Sequence, residues 1–167
     1  MCGIAGILHH DERLVEVASV RRMAAQIRHR GPDATGASVD GPVGLGHTRL
    51  SIIDLAGGKQ PMATPNAALQ VTFNGEIFNY LELRDRLIGL GHQFATRSDT
   101  EVILHAYEQW GDGCVEQFNG QWAFAIWDRA RRRLFLSRDR LGIRPLFYAS
   151  DVRRFLFASE VKALATD

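Results

Sequence analysis

Cys2 is the strongest candidate nucleophile in this 167-residue sequence, and it lies one residue from the start. A cysteine thiol has a reference pKa of about 8.5, so a nearby base helps it to attack at neutral pH. Loss of Met1 would place an α-amine with a pKa of about 7.7–8.0 on the same residue as the sulfur. Cys2 is therefore a candidate N-terminal nucleophile that requires no histidine. The alternative is a small apolar residue packed at the start of a strand.

The segment NGE at residues 74–76 has two compatible interpretations. Asn-Gly between alternating apolar runs is a strong signal for a type I′ hairpin turn, with positive φ at both residues. The Asn74 amide and the Gly75 N–H are also two donors that can converge on a developing oxyanion. Loss of one such donor costs about 3–4 kcal/mol in other hydrolases.

Two charged residues are candidates for substrate binding. Arg49, within GHTRLSIID, is either a rim arginine or a carboxylate clamp, because its planar guanidinium can hold two oxygens at once. Asp99 is either a first-turn aspartate favoured by the helix dipole or the partner of an ammonium group. Cys114, between Gly113 and Val115, is expected only to pack.

The elements that must position these residues are short. Residues 3–8 predict a buried strand that would anchor the N-terminus, and 14–27 predict an amphipathic helix ended by HRGPD. Two or three strands are predicted between 36 and 54, and another over 69–73. The run HRGPD contains Gly31, which suits a helix C-terminus.

Two helices and a second set of strands are predicted next. The first helix carries Leu83, Leu87 and Leu90 on one face, and the second begins with a capping box formed by Ser98 and Glu101.

The segment WAFAIW alternates large residues (Trp122, Phe124, Ile126) with alanines, which predicts an interior strand covered on both sides. Three more strands are predicted in LFLS, LFYA and FLFAS. The element order lacks a strict alternation of strand and helix, so it favours two facing, mostly antiparallel sheets with helices outside.

Composition excludes several classes of function. The formal charge is +1 with acidic and basic residues interspersed, which argues against nucleic acid or an anionic membrane as a partner. The basic run at 129–133 is predicted to be an exposed turn. No apolar run is long enough to span a membrane and no signal peptide is evident, so a cytoplasmic protein is expected. The histidines lack a familiar ligand spacing, so no metal is expected, and neither GLGH run is a dinucleotide loop.

The motifs taken together resemble the glutaminase domain of glutamine-hydrolysing asparagine synthetases. They are MCGIAGI, RHRGPD, GHTRLSIIDL, GGKQPM, FNGEIFNY, TRSDTEVILHAY, FNGQWAFAIWD, SRDRLGIRPLFY and FASEVKAL, in this order. That domain is a class II glutamine amidotransferase within the N-terminal nucleophile hydrolases. The resemblance covers essentially the whole chain. It implies an α+β fold, a four-layer αββα sandwich, and a single glutaminase domain over residues 1–167.

The resemblance also implies roles for individual residues. Cys2 would be the nucleophile with its own α-amine as base, and Asn74 and Gly75 would form the oxyanion hole. Arg49 would hold the α-carboxylate of glutamine, while Glu76 and Asp99 would lie around its α-ammonium. The implied glutamine pocket comprises Arg49, Leu50, Ser51, Ile52, Ile53, Asn74, Gly75, Glu76 and Asp99.

The implied reaction is hydrolysis of L-glutamine to glutamate and ammonia through a γ-glutamyl thioester. The ammonia would pass to a synthetase domain or subunit. The sequence ends without such a domain or an SGGxDS-type loop, so no cofactor is expected on this chain. ATP and magnesium are expected only on the synthetase. A homodimer is compatible with the resemblance.

Two alternatives stay open from the sequence. Retention of Met1 would leave a catalytically silent domain that binds glutamine or a partner chain. The ammonia could also serve another carboxylate-amidating enzyme. The GIRPL segment is similar to amidophosphoribosyltransferases, whereas RLSIIDL and SEVKAL favour the asparagine synthetase branch.

Overall fold

The computed structural model describes residues 1–55 and 57–166. Within these ranges the strands are Gly3–His9 (β1), Ala34–Asp40 (β2), Val43–Arg49 (β3), Met62–Ala63 (β4), Leu69–Ile77 (β5), Gly120–Asp128 (β6), Arg133–Arg138 (β7), Phe147–Ser150 (β8) and Arg154–Ala158 (β9). The α-helices are Val17–Gln26 (α1), Tyr80–Gly89 (α2), Asp99–Trp110 (α3) and Val161–Leu164 (α4). None of the helices in the described ranges is long and apolar enough to cross a bilayer.

The strands form two antiparallel sheets. The first has the order β2-β3-β1-β9-β8, and the second has the order β4-β5-β6-β7. In the first sheet β1 is interior, with β3 on one side and β9 on the other. The start of the chain is therefore held by hydrogen bonds along both edges, as predicted for residues 3–8.

The sheets face each other across an apolar layer. Its buried members come from both sheets: Ile4, Val43, Leu45, Ala123, Ala125, Trp127 and Phe157. On the opposite face of β6, the side chains of Trp122, Phe124 and Ile126 pack in a separate cluster. This confirms the prediction of a strand covered on both sides.

Helices cover the outer faces of both sheets. Helices α1 and α4 pack on the first sheet through residues that include Val20, Met23 and Ala163. Helices α2 and α3 pack on the second sheet through Leu83, Leu87 and Ile103 among others. The predicted four-layer αββα arrangement is confirmed.

The predicted hairpin turn at Asn74 and Gly75 is wrong. Both residues lie inside β5, where Asn74 is opposite Ala123 and Gly75 is opposite Trp122. Nine consecutive residues of β5 pair with β6. This long ladder overrides the local turn preference of Asn-Gly, and neither residue has the positive φ that a type I′ turn requires.

The first helix is shorter than predicted. It begins at Val17, so Leu14 lies outside it and is 73% exposed. Gly31 is not a left-handed cap, since its φ is −145°. A Cβ at Gly31 would lie 2.4 Å from the backbone of Thr48, so close approach to β3 is what requires glycine.

Helix α3 begins as predicted, but its capping differs in detail. The Ser98 hydroxyl accepts a hydrogen bond from the Thr100 N–H. The Glu101 carboxylate reaches past the cap to the N–H groups of Ala95 and Thr96, both at 2.7 Å. Leu90, which was predicted to lie on the buried face of the preceding helix, follows the end of α2 and is exposed.

Candidate active site

A pocket opens where the two sheets and the start of α3 meet. Its walls come from the N-terminus, the segment after β3, the end of β5, the first turn of α3 and the loop before β8. The lining residues are Met1, Cys2, Arg49, Leu50, Ile52, Ile53, Gly58, Gln60, Phe73, Asn74, Gly75, Glu76, Ser98, Asp99, Thr100 and Arg144.

Cys2 is held at the mouth of the gap between the sheets. It directly precedes β1, and its carbonyl accepts a 2.9 Å hydrogen bond from Arg30 Nε. The Arg30 guanidinium also donates to Glu160 at 3.0 Å. Burial opposes ionisation of Glu160, but hydrogen bonds from Arg30, Lys162 and His29 outweigh it and lower the pKa to about 2. A charged network therefore fixes the backbone of Cys2.

The Cys2 sulfur lies against the backbone of Leu50. It accepts a hydrogen bond from the Leu50 N–H at 3.4 Å and can donate to the Leu50 carbonyl at 3.6 Å. Burial raises the pKa of the Cys2 thiol, although the Leu50 hydrogen bond and the positive charges of the N-terminus and Arg49 oppose this. A base beside the sulfur is therefore needed to generate thiolate.

The edge of β5 that faces the pocket is only partly covered by a neighbouring strand. Strand β4 pairs only with Gln70 and Val71. Beyond that point the Phe73 N–H donates to Gln60 Oε1 at 2.7 Å, and the Ile77 N–H donates to Asp99 Oδ2 at 3.2 Å. Because N–H groups alternate along a strand, the Gly75 N–H lies between these two on the same edge.

The Asn74 side chain supplies a second donor. Asn74 is 1% exposed, and its Nδ2 is a buried polar atom without a hydrogen-bond partner among the described residues. A buried donor without a partner costs about 1–3 kcal/mol, so its retention at a pocket points to a ligand or reaction intermediate as its partner.

Arg49 is buried in the pocket wall, with 7% of its surface exposed, so the interpretation as a rim arginine is wrong. Its guanidinium donates to the carbonyls of Leu55, Asp54 and Ile53 at 3.0, 2.7 and 3.3 Å. These bonds occupy three of its five N–H donors, one on Nη1 and two on Nη2, and leave the Nε–H and one Nη1–H. A Cβ at Gly58 would lie 2.5 Å from Arg49 Nη2 and 3.0 Å from the Asp54 carbonyl oxygen, so a larger residue there would displace the guanidinium.

Asp99 and Glu76 give the pocket negative charge. Burial raises the pKa of Asp99 to about 6, and the charge of Glu76 contributes to the increase, whereas the N–H groups of Ile77 and Thr100 oppose it. A carboxylate poised in this way gains from a cationic partner, because the partner favours its ionised form.

The structure brings most of the predicted site residues to this one pocket. The exception is Ser51, which is not in the pocket wall and whose N–H donates to Asp33 Oδ2 at 2.8 Å. Sequence reasoning missed Gln60 and Arg144, which also line the pocket. Both lie in quoted motifs, GGKQPM and SRDRLGIRPLFY, but isolated loop residues carry no periodic signal.

The comparisons with known proteins agree with this arrangement. A family model described as a glutamine amidotransferase domain matches residues 1–167. The chain is 44% identical over 167 residues to "Asparagine synthetase [glutamine-hydrolyzing] 3" of Bacillus subtilis, covering 98% of this chain and 27% of that protein. It is 39% identical to "Putative asparagine synthetase [glutamine-hydrolyzing] 2" of Methanocaldococcus jannaschii, covering 98% of this chain and 35% of that protein.

Solved structures share the fold. The glutamine phosphoribosylpyrophosphate amidotransferase of Bacillus subtilis has a TM-score of 0.81 and 22% identity, covering 99% of this chain and 43% of that one. A second chain, titled as an allosteric regulatory enzyme of purine biosynthesis, has a TM-score of 0.80 and 24% identity, with the same coverage. The chain therefore shares its fold with these two solved proteins.

The chain spans about a fifth to a third of the length of the curated relatives it matches. Because the family model covers every residue, and because Cys2, Asn74 and Gly75 meet at one pocket, this chain belongs to the glutamine amidotransferase domain family.

Proposed function

We propose that this chain hydrolyses L-glutamine to L-glutamate and ammonia, with Cys2 as the nucleophile once Met1 is removed. The observation that carries the proposal is the juxtaposition of the Cys2 sulfur with two donors. These are Asn74 Nδ2, which has no hydrogen-bond partner among the described residues, and the Gly75 N–H on the open edge of β5.

The first half of the reaction forms a thioester. The neutral α-amine of Cys2 takes the thiol proton, and the thiolate attacks the side-chain amide carbon of glutamine. The carbonyl oxygen becomes an oxyanion between Asn74 Nδ2 and the Gly75 N–H. The protonated α-amine then gives its proton to the amide nitrogen, so that the carbon–nitrogen bond breaks and ammonia leaves.

The second half restores the enzyme. The α-amine takes a proton from water, and the resulting hydroxide attacks the thioester carbonyl in the same oxyanion site. The carbon–sulfur bond breaks, glutamate is released, and the Cys2 thiolate recovers its proton from the amine. Charge is held at fixed donors throughout, which is the type of electrostatic stabilisation that contributes most in acyl transfer.

The polar wall suits the α-amino and α-carboxylate groups of free glutamine. An N–H donor that remains on Arg49 would bind the carboxylate, and Glu76 and Asp99 would balance the ammonium group. A glutamine residue within a polypeptide lacks the free α-carboxylate and α-ammonium groups. It would leave the charges of Arg49, Glu76 and Asp99 without partners, so the pocket disfavours it.

We further propose that the ammonia is used for amide formation by an asparagine synthetase-type domain or subunit. The names of the relatives support this, together with the part of their length that lies outside the match. ATP and magnesium would then bind to that synthetase part and not to this chain. In the same proposal, residues 1–167 form a single glutaminase domain. A cytoplasmic location and a homodimeric assembly are compatible with it.

A second candidate function is a silent glutamine-binding domain. The observation that favours it is the position of Met1, which lines the pocket beside Cys2. With Met1 in place the Cys2 nitrogen is an amide, so it is not a base. In that form glutamine binds without turnover.

Ammonia release from glutamine tests the proposal when the processed chain is compared with two cysteine variants. Cys2→Ala abolishes release and keeps the fold, because only a small, half-buried side chain is lost. Cys114→Ala is the matched control, since that thiol is buried in the apolar cluster beneath α3. Equal ammonia release by Cys2→Ala and the parent chain would exclude Cys2 as the nucleophile.

A further inference from the structure

Three metal-ligating side chains converge where α3 meets the segment after α2, away from the pocket. His92 follows α2, and His105 and Glu108 lie one turn apart on α3. The Nδ1 atoms of the two histidines are 3.2 Å apart. Glu108 Oε2 lies 3.3 Å from each of these nitrogens. The three atoms form a nearly equilateral triangle around one point.

The dimensions of this triangle fit a zinc ion. Tetrahedral zinc holds nitrogen and oxygen ligands at about 2.0–2.2 Å, which places neighbouring ligand atoms about 3.3–3.5 Å apart. Two histidines and one carboxylate leave the fourth position for water. The side chains of His92 and His105 are only 12% and 8% exposed, whereas Glu108 is 47% exposed and provides an entry path.

The outer partners orient both imidazoles toward the same point. His92 Nε2 lies 3.0 Å from Gln109 Oε1, and in the tautomer in which Nε2 donates to this oxygen, Nδ1 presents its lone pair. His105 Nε2 faces Glu101 Oε1 at 3.7 Å, which favours the same tautomer. A ligating histidine that directs its other N–H to a carbonyl or carboxylate is the usual outer-shell pattern of metal sites.

The position of Glu101 is itself fixed. Its carboxylate accepts hydrogen bonds from the N–H groups of Ala95 and Thr96 and from the Thr96 hydroxyl at 2.6 Å. Phe94 packs edge-on against His105, with 4.5 Å between the ring centroids. The second histidine is therefore held rigidly before any ion binds.

We propose that His92, His105 and Glu108 bind one Zn²⁺ ion per chain, with water as the fourth ligand. The ion coordinates the two histidine Nδ1 atoms and the Glu108 carboxylate, which otherwise face one another without a shared cation. It also links the segment after α2 to α3, the helix whose N-terminal end, with its cap Ser98, contributes Asp99 and Thr100 to the pocket. This proposal replaces the sequence expectation of no metal, which rested on familiar ligand spacings.

Zinc titration of the full chain against a chromophoric chelator tests the proposal. The background is Cys2→Ala, so that the half-buried thiol does not bind the ion. We expect one Zn²⁺ per chain and a higher melting temperature with zinc than with a chelator. His92→Gln and Glu108→Gln should each weaken binding by more than about 10-fold, and Gln109→Ala should weaken it by about 10-fold. His10→Gln, an exposed histidine outside the cluster, should bind zinc as the parent does.

Replacement of zinc by Co²⁺ tests the ligand set without any ligand variant, so it does not depend on whether those variants fold. In the Cys2→Ala chain, Co²⁺ should give the visible absorption of a tetrahedral site without a thiolate charge-transfer band. The proposal is overturned by the absence of stoichiometric binding, by full zinc affinity in folded His92→Gln, or by an octahedral or thiolate-ligated cobalt spectrum. Those outcomes would leave a histidine pair that shares a proton.

Discussion

The two edges of strand β5 have different hydrogen-bond partners. On one edge, nine residues pair with β6 in an unbroken antiparallel ladder. On the other edge β4 covers only two residues, and the side chains of Gln60 and Asp99 then take the place of a strand. The Gly75 N–H lies between these two contacts and borders the pocket. The paired edge fixes the position of the strand, and the open edge makes a strand's own backbone available for chemistry.

The same contrast holds for the side chains of β5. Thr72, beneath the covered part, donates to the Gly46 carbonyl at 3.0 Å. Asn74, two residues further on the same face, has a buried Nδ2 without a partner in the described part of the chain. Unsatisfied buried polar groups are rare in folded proteins, so the Asn74 side chain marks this end of β5 as a functional region.

The largest effect is expected from Asn74→Ala on the open edge. Loss of one oxyanion donor should lower kcat for glutamine hydrolysis by about 10²–10³, with little change in KM. Steady-state ammonia release provides the measurement. Asn66→Ala, which removes an amide from the turn before β5, should leave kcat unchanged. A wild-type kcat in Asn74→Ala would show that this donor does not face the reacting carbonyl.

Asp99 borders the open edge of β5, and its carboxylate should lower the free energy of unfolding at neutral pH. The Asp99→Asn variant tests this. The folded-state pKa of about 6 exceeds the reference value of 3.8. The folded state therefore holds the proton more tightly, and the free energy of unfolding falls as the pH rises from about 4 to 6. At pH 7 the variant should be more stable by up to about 3 kcal/mol and should bind glutamine more weakly.

Urea unfolding of the Asp99→Asn chain at pH 4, 5, 6 and 7 provides the measurement. Asp85→Asn, an exposed residue of α2, is the matched control and should follow the parent at each pH. A variant that binds glutamine as tightly as the parent would rule out the ammonium contact.

Gly75→Ala should disturb the paired edge. A Cβ at this position would lie 2.1 Å from the Gln121 carbonyl oxygen and 2.8 Å from Trp122 Cα. Because backbone atoms cannot move independently, the ladder must shift, at a cost of about 1–3 kcal/mol. Gly89→Ala on exposed α2 meets no atom within 4 Å and should stabilise the helix slightly. Equal melting temperatures for the two variants would contradict the close packing of β5 on β6.

Gln60→Ala should have the smallest effect. It removes the acceptor of the Phe73 N–H and the bond to Thr100 Oγ1, but water can reach part of the vacated space. We expect about 1 kcal/mol of destabilisation and faster amide exchange at Phe73. Gln93→Ala, an exposed glutamine in the loop before α3, should change neither quantity. Unaltered exchange at Phe73 would show that the side chain does not protect this edge.

Much of the fold followed from residue patterns. Alternation at 122–126 predicted a strand covered on both faces, and the Ser98 cap placed the start of α3 and hence Asp99. The Asn-Gly signal failed because strand pairing, a non-local interaction, outweighs a local turn preference. The start of α1 was misplaced because Leu14 fits the helical period yet lies in solvent.

From residue type alone, the site could be predicted only where an individual residue carries intrinsic chemistry, and the family resemblance added Leu50, Ile52, Ile53 and Glu76. Cys2, Arg49 and Asp99 stand out by type, whereas Gln60 and Arg144 reach the pocket from irregular segments whose course depends on tertiary contacts. The His92, His105 and Glu108 cluster has no sequence signature, since one of its members lies in a loop 13 residues before the next. Loops fold around the scaffold, so their side chains cannot be placed by period.

The central claim is that Cys2 acts with its own unblocked amine. The most direct measurement is the rate of ammonia release from glutamine by two separated forms of the chain, identified by intact mass as beginning at Met1 or at Cys2. We expect release only from the form that begins at Cys2, and none from the form that keeps Met1. Equal turnover by the chain that retains Met1 would contradict the account.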